Sequence, residues 1–218
     1  MSAAPRAVLW DMDGTLLDSG RLHFQAWQDT MAALGRALSR AEFDAGYGRR
    51  NDDILRAWFG PNIAPAEIDR IAGIKEARYR ALLRPSGIAA LPGILPWIGR
   101  LGADGWRQAV ATAGPRANVE AVVGVLGLGG RFAAIVAAED VARGKPDPEV
   151  FLAAAARLGV PPARSVVVED GPAGIEAARR AGMRAIGLLT THAALDADLV
   201  VRAPADIPAD AFDRLLGD

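Results

Sequence analysis

Residues 7–15 read AVLWDMDGT, and this short stretch indicates the fold. Its first four residues form a continuous apolar run, which is typical of a strand buried on both faces. Two acids follow at the carboxyl end of that strand. Similar runs, some of them weaker, recur at 108–112, 133–137, 165–170, 184–188 and 198–201.

Segments with helical periodicity separate these runs. They lie at 94–101, 119–126, 148–158 and 173–181. Alternating strands and helices predict an α/β, Rossmann-like, doubly wound parallel sheet, whose functional groups gather beyond the carboxyl ends of the strands.

The region 20–87 interrupts the alternation because it has helix-like segments and no convincing strand. Those segments are 22–34, 40–45, 52–59 and 65–83. We predict a helical cap domain at 20–87, inserted after the first strand into an α/β core made of 1–19 and 88–218. Since the insertion begins just after the acidic loop, we expect it to cover that loop as a lid.

Composition excludes several classes of protein. The chain has 218 residues, of which 51% are hydrophobic, a formal net charge of −1 and no cysteine. Disorder, disulfide frameworks and cysteine nucleophiles are therefore excluded. Near-neutral charge gives no general attraction for nucleic acid or membrane, and no apolar run approaches the ~20 residues of a membrane span. We expect a cytoplasmic protein, a monomer or weak homodimer, whose partner is a small molecule.

Acidic residues follow two of the predicted strands. Asp11 and Asp13 come after the first, with Gly14 for a tight turn and Thr15 expected to open a helix. Glu169–Asp170 follows another strand. Converging acidic loops favour a hard cation such as Mg²⁺. The alternatives are a surface Asp-Gly turn and a helix N-cap.

Crowded carboxylates that meet an anionic substrate require positive charge. Lys145, in a loop stiffened by Pro146 and Pro148, supplies one, and Thr112 offers a hydroxyl at the end of another strand. Taken alone, each has an ordinary explanation: a solvated loop lysine and a strand-end threonine.

Taken in order, the segment 11–15, Thr112, Lys145 and Glu169–Asp170 resemble the four signature motifs of the haloacid dehalogenase-like (HAD) superfamily. The resemblance covers essentially the whole chain. Segments 11–19 and 168–175 are most similar to the β-phosphoglucomutase-like branch of phosphatases and mutases. Dehalogenation is not expected, because similar dehalogenases lack an acid at the position of Asp13.

The resemblance implies roles for individual residues. Asp11 would attack phosphorus, and Asp13 would act first as general acid and then as general base. Mg²⁺ would be held by Asp11, Asp13 and Asp170, with Glu169 close by or acting through water. The phosphate-binding residues would be Thr112 and Lys145, and Asn118 would orient the loop after Thr112.

The insertion contributes two further substrate-binding candidates. His23 either assists catalysis or is a hydrogen-bonded hinge residue. Arg49 can reach a phosphate bidentately, although a solvated surface arginine is the alternative. Lys75 matches a lysine of similar mutases, but we expect it to face solvent. His192, after the strand at 184–188, is expected to be a surface loop residue.

These residues predict a Mg²⁺-dependent phosphatase that hydrolyses a sugar or short-alcohol phosphate through an aspartyl-phosphate. The enzymatic alternative is a β-phosphoglucomutase-like mutase, and inorganic pyrophosphate is a further candidate substrate. Against the mutase, Asn51 stands where similar mutases carry arginine, and 112–115 reads TAGP instead of a serine-rich loop. The alternative of another class is an inactive phosphate-dependent sensor or interaction protein.

Overall fold

The computed structural model describes residues 4–218. Within them, six parallel strands form one sheet in the order β3-β2-β1-β4-β5-β6. The strands are β1 (Ala7–Trp10), β2 (Arg107–Ala111), β3 (Ala134–Val136), β4 (Ser165–Glu169), β5 (Arg184–Leu188) and β6 (Leu199–Val201). The predicted α/β class with a doubly wound parallel sheet is confirmed.

The helices fall into two groups along the chain. Between β1 and β2 lie α1 (Gly20–Ala33), α2 (Arg40–Gly46), α3 (Asn51–Phe59), α4 (Pro65–Leu83) and α5 (Ile94–Ala103). After β2 come α6 (Arg116–Val125), α7 (Glu149–Leu158), α8 (Pro172–Arg180) and α9 (Ala211–Leu216). Among the described residues, none of these helices is long and apolar enough to cross a bilayer.

The register of the central strands determines where polar side chains meet. Trp10 lies opposite both Val110 in β2 and Val168 in β4. The three strands therefore end at the same level, and the residues that follow them emerge at one edge of the sheet.

The described chain divides into two compact units. The core unit consists of Ala89–Asp218 together with the described residues up to Asp18, and the insert unit is Ser19–Ile88. The role of the insert unit as a lid stays a prediction.

Each unit has its own apolar core. In the core unit, Leu9 and Val167 from the sheet belong to one buried cluster with Phe151 of α7 and Ile175 of α8. In the insert unit, Trp27, Met31 and Leu55 pack with other apolar side chains of its helices. Such burial is worth about 1.5–3 kcal/mol for each large apolar side chain.

Two local expectations need correction. Thr15 does not open a helix: α1 begins at Gly20, and the Gly14 amide instead donates to the Leu17 carbonyl at 2.8 Å in a tight turn. Helix α9 was not predicted, because it has only six residues.

Candidate active site

The turn after β1 brings two acidic segments together. Gly14 has a φ of +85°, a conformation that glycine adopts at little cost. A Cβ there would collide with the Asp170 carboxylate and approach the Thr191 hydroxyl. The turn can therefore pack directly on the residue that follows β4 only if it carries glycine.

Lys145 bridges two of the acids. Its ammonium donates to Asp11 Oδ1 at 2.6 Å and to Glu169 Oε2 at 2.7 Å. The lysine side chain is only 5% exposed, so little water screens these ion pairs. Lys145 thus fixes the carboxylate at the end of β1 relative to the one at the end of β4.

Glu169 is held on both of its oxygens. While Oε2 accepts from Lys145, Oε1 accepts from the backbone amides of Asp170 (3.1 Å) and Gly171 (3.0 Å). A Cβ on Gly174 in α8 would collide with this carboxylate. These contacts orient Glu169 toward the lysine.

Asp11, Glu169 and Asp170 form a buried acidic cluster. One carboxylate oxygen from each lies within 4.8 Å of the others. Burial, reinforced by the charge of Glu169, raises the pKa of Asp11 to about 8 despite the opposing effect of Lys145. Burial, with the charges of Glu169 and Asp11, also raises the pKa of Asp170 well above its ordinary value.

The charges of this cluster do not balance. Burial disfavours a charged Lys145, but the neighbouring Asp11 and Glu169 outweigh burial and raise the pKa of the lysine. One ammonium therefore faces three carboxyl groups in a poorly solvated space, and with all three ionised the negative charge would exceed the positive charge. The excess of acidic groups and their oxygen atoms both suit the binding of a divalent cation.

The remaining predicted core residues also lie at this edge of the sheet. Thr112 follows β2, is buried, and its hydroxyl accepts from the Gly114 amide at 3.1 Å. Asn118 is fully buried in the first turn of α6. Asp13 is partly buried in the β1 turn, and its Oδ2 lies 3.9 Å from the position of a Cβ on Gly114. The loop after β2 thus approaches Asp13.

Sequence reasoning assigned no role to two threonines in the loop after β5. Thr190 donates to the Gly14 carbonyl at 2.5 Å, and Thr191 donates to Asp170 Oδ2. The sequence singled out only His192 in this loop, and that side chain is half-buried. One sequence feature could have indicated these threonines: they come directly after a strand of the parallel sheet.

The insert unit has a buried polar cluster of its own. Lys75 Nζ donates to Glu76 Oε1 at 2.7 Å and lies 2.9 Å from His23 Nδ1, which accepts because an ammonium has no lone pair. Asn51 donates to the same Glu76 oxygen at 2.7 Å. The His23 ring stacks on Tyr79 with centroids 3.9 Å apart.

The expectation that Lys75 faces solvent is wrong, since this residue is only 3% exposed. Burial disfavours the Glu76 carboxylate, but Lys75 and His23, together with the hydrogen bonds from Lys75 and Asn51, lower the pKa of Glu76 overall. The buried lysine is therefore neutralised within its own unit. Arg49, by contrast, is exposed in the turn before α3.

Comparison with known proteins assigns the chain to a family. Residues 5–182 match the family model described as haloacid dehalogenase-like hydrolase, so the chain belongs to that family. The predictions of the superfamily and of a hydrolase in its phosphatase class are confirmed.

Individual relatives place it in the β-phosphoglucomutase and phosphatase branch. It is 36% identical to fructose-1-phosphate phosphatase YqaB of Escherichia coli strain K12 over 182 residues, which are 82% of this chain and 94% of the relative. It is 32% identical to β-phosphoglucomutase of Bacillus subtilis strain 168, over 93% of this chain and 91% of the relative.

A solved structure has the same fold. It is a CbbY variant from Rhodobacter sphaeroides in complex with xylulose-(1,5)bisphosphate. Its TM-score to this chain is 0.85 at 32% identity, and the match covers 93% of this chain and 96% of that one.

Proposed function

We propose that this protein is a Mg²⁺-dependent phosphatase that hydrolyses a small phosphorylated metabolite, a sugar or short-alcohol phosphate, through an aspartyl-phosphate on Asp11. One observation carries the proposal: a buried lysine holds Asp11 and Glu169 together beside Asp170. Such an arrangement orients a carboxylate nucleophile and leaves unbalanced negative charge for a cation.

The first step transfers the phosphoryl group to the protein. The Asp11 carboxylate attacks phosphorus, a new P–O bond forms, and the bond to the leaving oxygen breaks. Asp13 donates its proton to that oxygen, so that an alcohol leaves instead of an alkoxide. Lys145 favours the ionised form of Asp11, which this attack requires.

The second step returns the enzyme to its starting state. Asp13, now a carboxylate, removes a proton from a water molecule that attacks the phosphorus of the aspartyl-phosphate. The bond between Asp11 and phosphorus breaks, which releases inorganic phosphate and regenerates the nucleophile. Thr112 and Lys145 bind the non-reacting phosphate oxygens in both steps, and Asn118 supports the loop that carries Thr112.

The donor set at the acidic cluster fits Mg²⁺, because its side-chain ligands are carboxylates. Asp11, Asp170 and the backbone carbonyl of Asp13 would hold the ion. Glu169 would contact it through water, since its oxygens already accept from Lys145 and two amides. When bound, Mg²⁺ neutralises charge on the carboxylates and on the phosphate.

Two relatives support the proposal of a sugar-phosphate substrate. One is named a fructose-1-phosphate phosphatase, and the structure of the other, CbbY, is a complex with xylulose-(1,5)bisphosphate. In the insert unit, we propose that His23 and Arg49 contact the substrate. The range 20–87 acts as the cap domain, and 1–19 with 88–218 act as the catalytic core. A cytoplasmic location and a monomer or weak homodimer stay predictions.

Similarity to β-phosphoglucomutase makes a mutase the second candidate. A mutase must keep the phosphoenzyme from water until a second hydroxyl of the sugar phosphate arrives. In this chain Lys75, the lysine that matches those of mutases, is bound to Glu76. We therefore favour transfer to water, with release of inorganic phosphate.

The decisive experiment is a screen of sugar and alcohol phosphates, with inorganic pyrophosphate included, for phosphate release in the presence of Mg²⁺. We expect turnover of at least one sugar or alcohol phosphate, loss of turnover in Asp11→Asn, and loss after EDTA that Mg²⁺ restores. A mutase would instead convert β-glucose 1-phosphate, supplied with a bisphosphate primer, into glucose 6-phosphate without releasing free phosphate. A chain that turns over neither these compounds nor p-nitrophenyl phosphate would be the inactive sensor instead.

A further inference from the structure

The loop after β5 contacts both acidic segments of the core unit. Thr191 donates its hydroxyl hydrogen to Asp170 Oδ2, and its neighbour Thr190 donates to the Gly14 carbonyl at 2.5 Å. These partners lie 21 and 176 residues away in the sequence. Two adjacent hydroxyls therefore connect the β1 turn and the end of β4.

We propose that Thr191 is a positioning residue for the cation ligand Asp170, and that it sets the Mg²⁺ affinity of the enzyme. This inference rests on the proposed function, because it takes Asp170 to be a ligand of the ion. Thr191 itself acts through the carboxylate and contacts neither the substrate nor the reacting atoms.

The first argument is geometric. Asp170 is 4% exposed and follows directly after β4, so its backbone is fixed by the sheet. Its carboxylate can still rotate about the bond to the side chain, and such rotation would change which oxygen faces Asp11. A hydrogen bond from Thr191 to Oδ2 opposes that rotation.

The second argument concerns the packing of Gly14 against the same carboxylate oxygen. The α-carbon of Gly14 packs so closely against Asp170 Oδ2 and Thr191 Oγ1 that a Cβ could not be accommodated. The β1 turn thus packs directly against the hydrogen-bonded pair of Asp170 and Thr191. Because Thr190 holds the Gly14 carbonyl, the turn that carries the Asp13 carbonyl is fixed by the same loop.

Partners of this kind have a measurable effect in metal sites. Removing a group that hydrogen-bonds to a metal ligand typically lowers metal affinity 10–100-fold. Thr191 is exposed on its outer side, so changing it leaves the buried core of the unit intact. The effect on the ion can therefore be separated from an effect on folding.

The test uses three variants of the full chain. Thr191→Val keeps the shape of the side chain and removes the donor, whereas Thr191→Ser keeps the donor. Thr30→Val is the matched control, because it removes a threonine hydroxyl that donates to the Ala26 carbonyl within α1 of the insert unit.

Two readouts are compared for each protein. One is the Mg²⁺ concentration at half-saturation of the protein, obtained without substrate by fitting the rise of the thermal midpoint with Mg²⁺ concentration. The other is the Mg²⁺ concentration at half-maximal hydrolysis of p-nitrophenyl phosphate, with kcat taken at saturating Mg²⁺. For Thr191→Val we expect both midpoints to rise 10–100-fold while kcat at saturation falls less than threefold.

The serine variant should restore both midpoints to within about threefold of the wild type, and Thr30→Val should leave them unchanged. If the wild type responds to Mg²⁺ and Thr191→Val leaves both midpoints unchanged, the positioning role is refuted and the proposed function is not affected. A wild type that neither binds Mg²⁺ nor needs it for hydrolysis would instead refute the metal part of the proposed function, and this inference with it.

Discussion

The carboxyl group of Asp13 lies in the same turn as Asp11, the proposed nucleophile, but outside the close acidic cluster. That separation suits a group that must exchange protons instead of binding a cation with its side chain. We expect Asp13→Asn to reduce kcat/KM for an alkyl phosphate by about 10²–10⁴-fold, because the poor leaving group needs a proton. The loss for p-nitrophenyl phosphate should be much smaller, since nitrophenolate leaves without one.

The measurement is the ratio of kcat/KM for the two esters in wild type and variant, with saturating Mg²⁺. A nearly equal loss for both esters would contradict the general-acid role. Hydrolysis of the phosphoenzyme does not enter this ratio, because kcat/KM reports only the steps up to release of the leaving group.

Gly174 permits the contact between α8 and Glu169. In an ordinary helix position, alanine is more stable than glycine by about 0.5–1 kcal/mol. At Gly174 the added methyl group would displace the Glu169 carboxylate, and overpacking typically costs about 1–3 kcal/mol. We therefore expect Gly174→Ala to lower both the unfolding midpoint in urea and the phosphatase activity.

Gly73 in α4 provides the control, because a Cβ there has nothing within 4 Å. Gly73→Ala should raise the unfolding midpoint slightly and leave the activity unchanged. Should Gly174→Ala stabilise the protein as Gly73→Ala does, the close packing against Glu169 would be disproved.

Helices α1, α3 and α4 share the buried polar cluster of the insert unit, and their polar contacts there depend on an ion pair. Removing the lysine by Lys75→Met leaves the Glu76 carboxylate buried without its cation. Breaking a buried pair in this way costs about 3–5 kcal/mol. We expect a large drop in the thermal midpoint of Lys75→Met and partial recovery in the double variant Lys75→Met/Glu76→Gln.

A double-mutant cycle over these variants measures the coupling. The exposed pair between Arg70 and Glu67 in α4 is the comparison, and its removal should change the midpoint little. If the effects of the Lys75 and Glu76 substitutions on the thermal midpoint simply add, the two charges do not stabilise each other.

The strands could be predicted because they depend on local sequence, whereas the hydrogen-bond and ion-pair partners of polar residues could not, because they depend on contacts between distant residues. A strand buried on both faces has an unbroken apolar run, as β1 and β4 do, so local sequence determines it. Lys75 has the sequence pattern of a solvated helix residue, and only its contacts with Glu76 and His23 make it a buried one. Likewise, nothing local to Thr190 indicates a bond to a carbonyl 176 residues away.

The site as an assembly also depends on distant parts of the chain. Asp11 and Lys145 are 134 residues apart and form one ion pair. The sequence indicated that they meet, because their segments follow strands of one parallel sheet. It could not indicate that Lys145 also binds Glu169, since this depends on side-chain geometry at the end of β4.

Protonation of Asp11 links cation binding to pH. Without a cation, burial and the charge of Glu169 place the pKa of Asp11 at about 8, so Mg²⁺ must displace a proton below that pH. We expect the apparent Mg²⁺ affinity to rise at least tenfold per pH unit from pH 6 toward pH 8, because Asp170, whose pKa burial also raises, would release its proton as well. Thermal stabilisation by Mg²⁺ at each pH measures this, and a flat profile would contradict it.

Without bound metal, the contribution of Asp11 to the stability of the protein should decrease as pH rises. The native state keeps the Asp11 proton up to about pH 8, whereas the unfolded chain loses it near the ordinary pKa of 3.8. Since the native state then binds more protons, the contribution of Asp11 to the free energy of unfolding falls as pH rises through this window. The Asp11→Asn variant should lack this contribution. Urea titrations in EDTA at each pH give the free energies of unfolding of wild type and variant, and their difference measures the contribution.

The places where the chain leaves and re-enters the core unit are hydrogen-bonded to each other. Leu17 pairs with Ala90 in an antiparallel bridge, and the Leu91 amide donates to the Leu16 carbonyl at 2.9 Å. Contacts within the core unit thus hold the two ends together, whatever polypeptide joins them. Under the proposed division of roles, exchanging the intervening seventy or so residues for another module would change the specificity and leave the proposed phosphoryl-transfer residues in place.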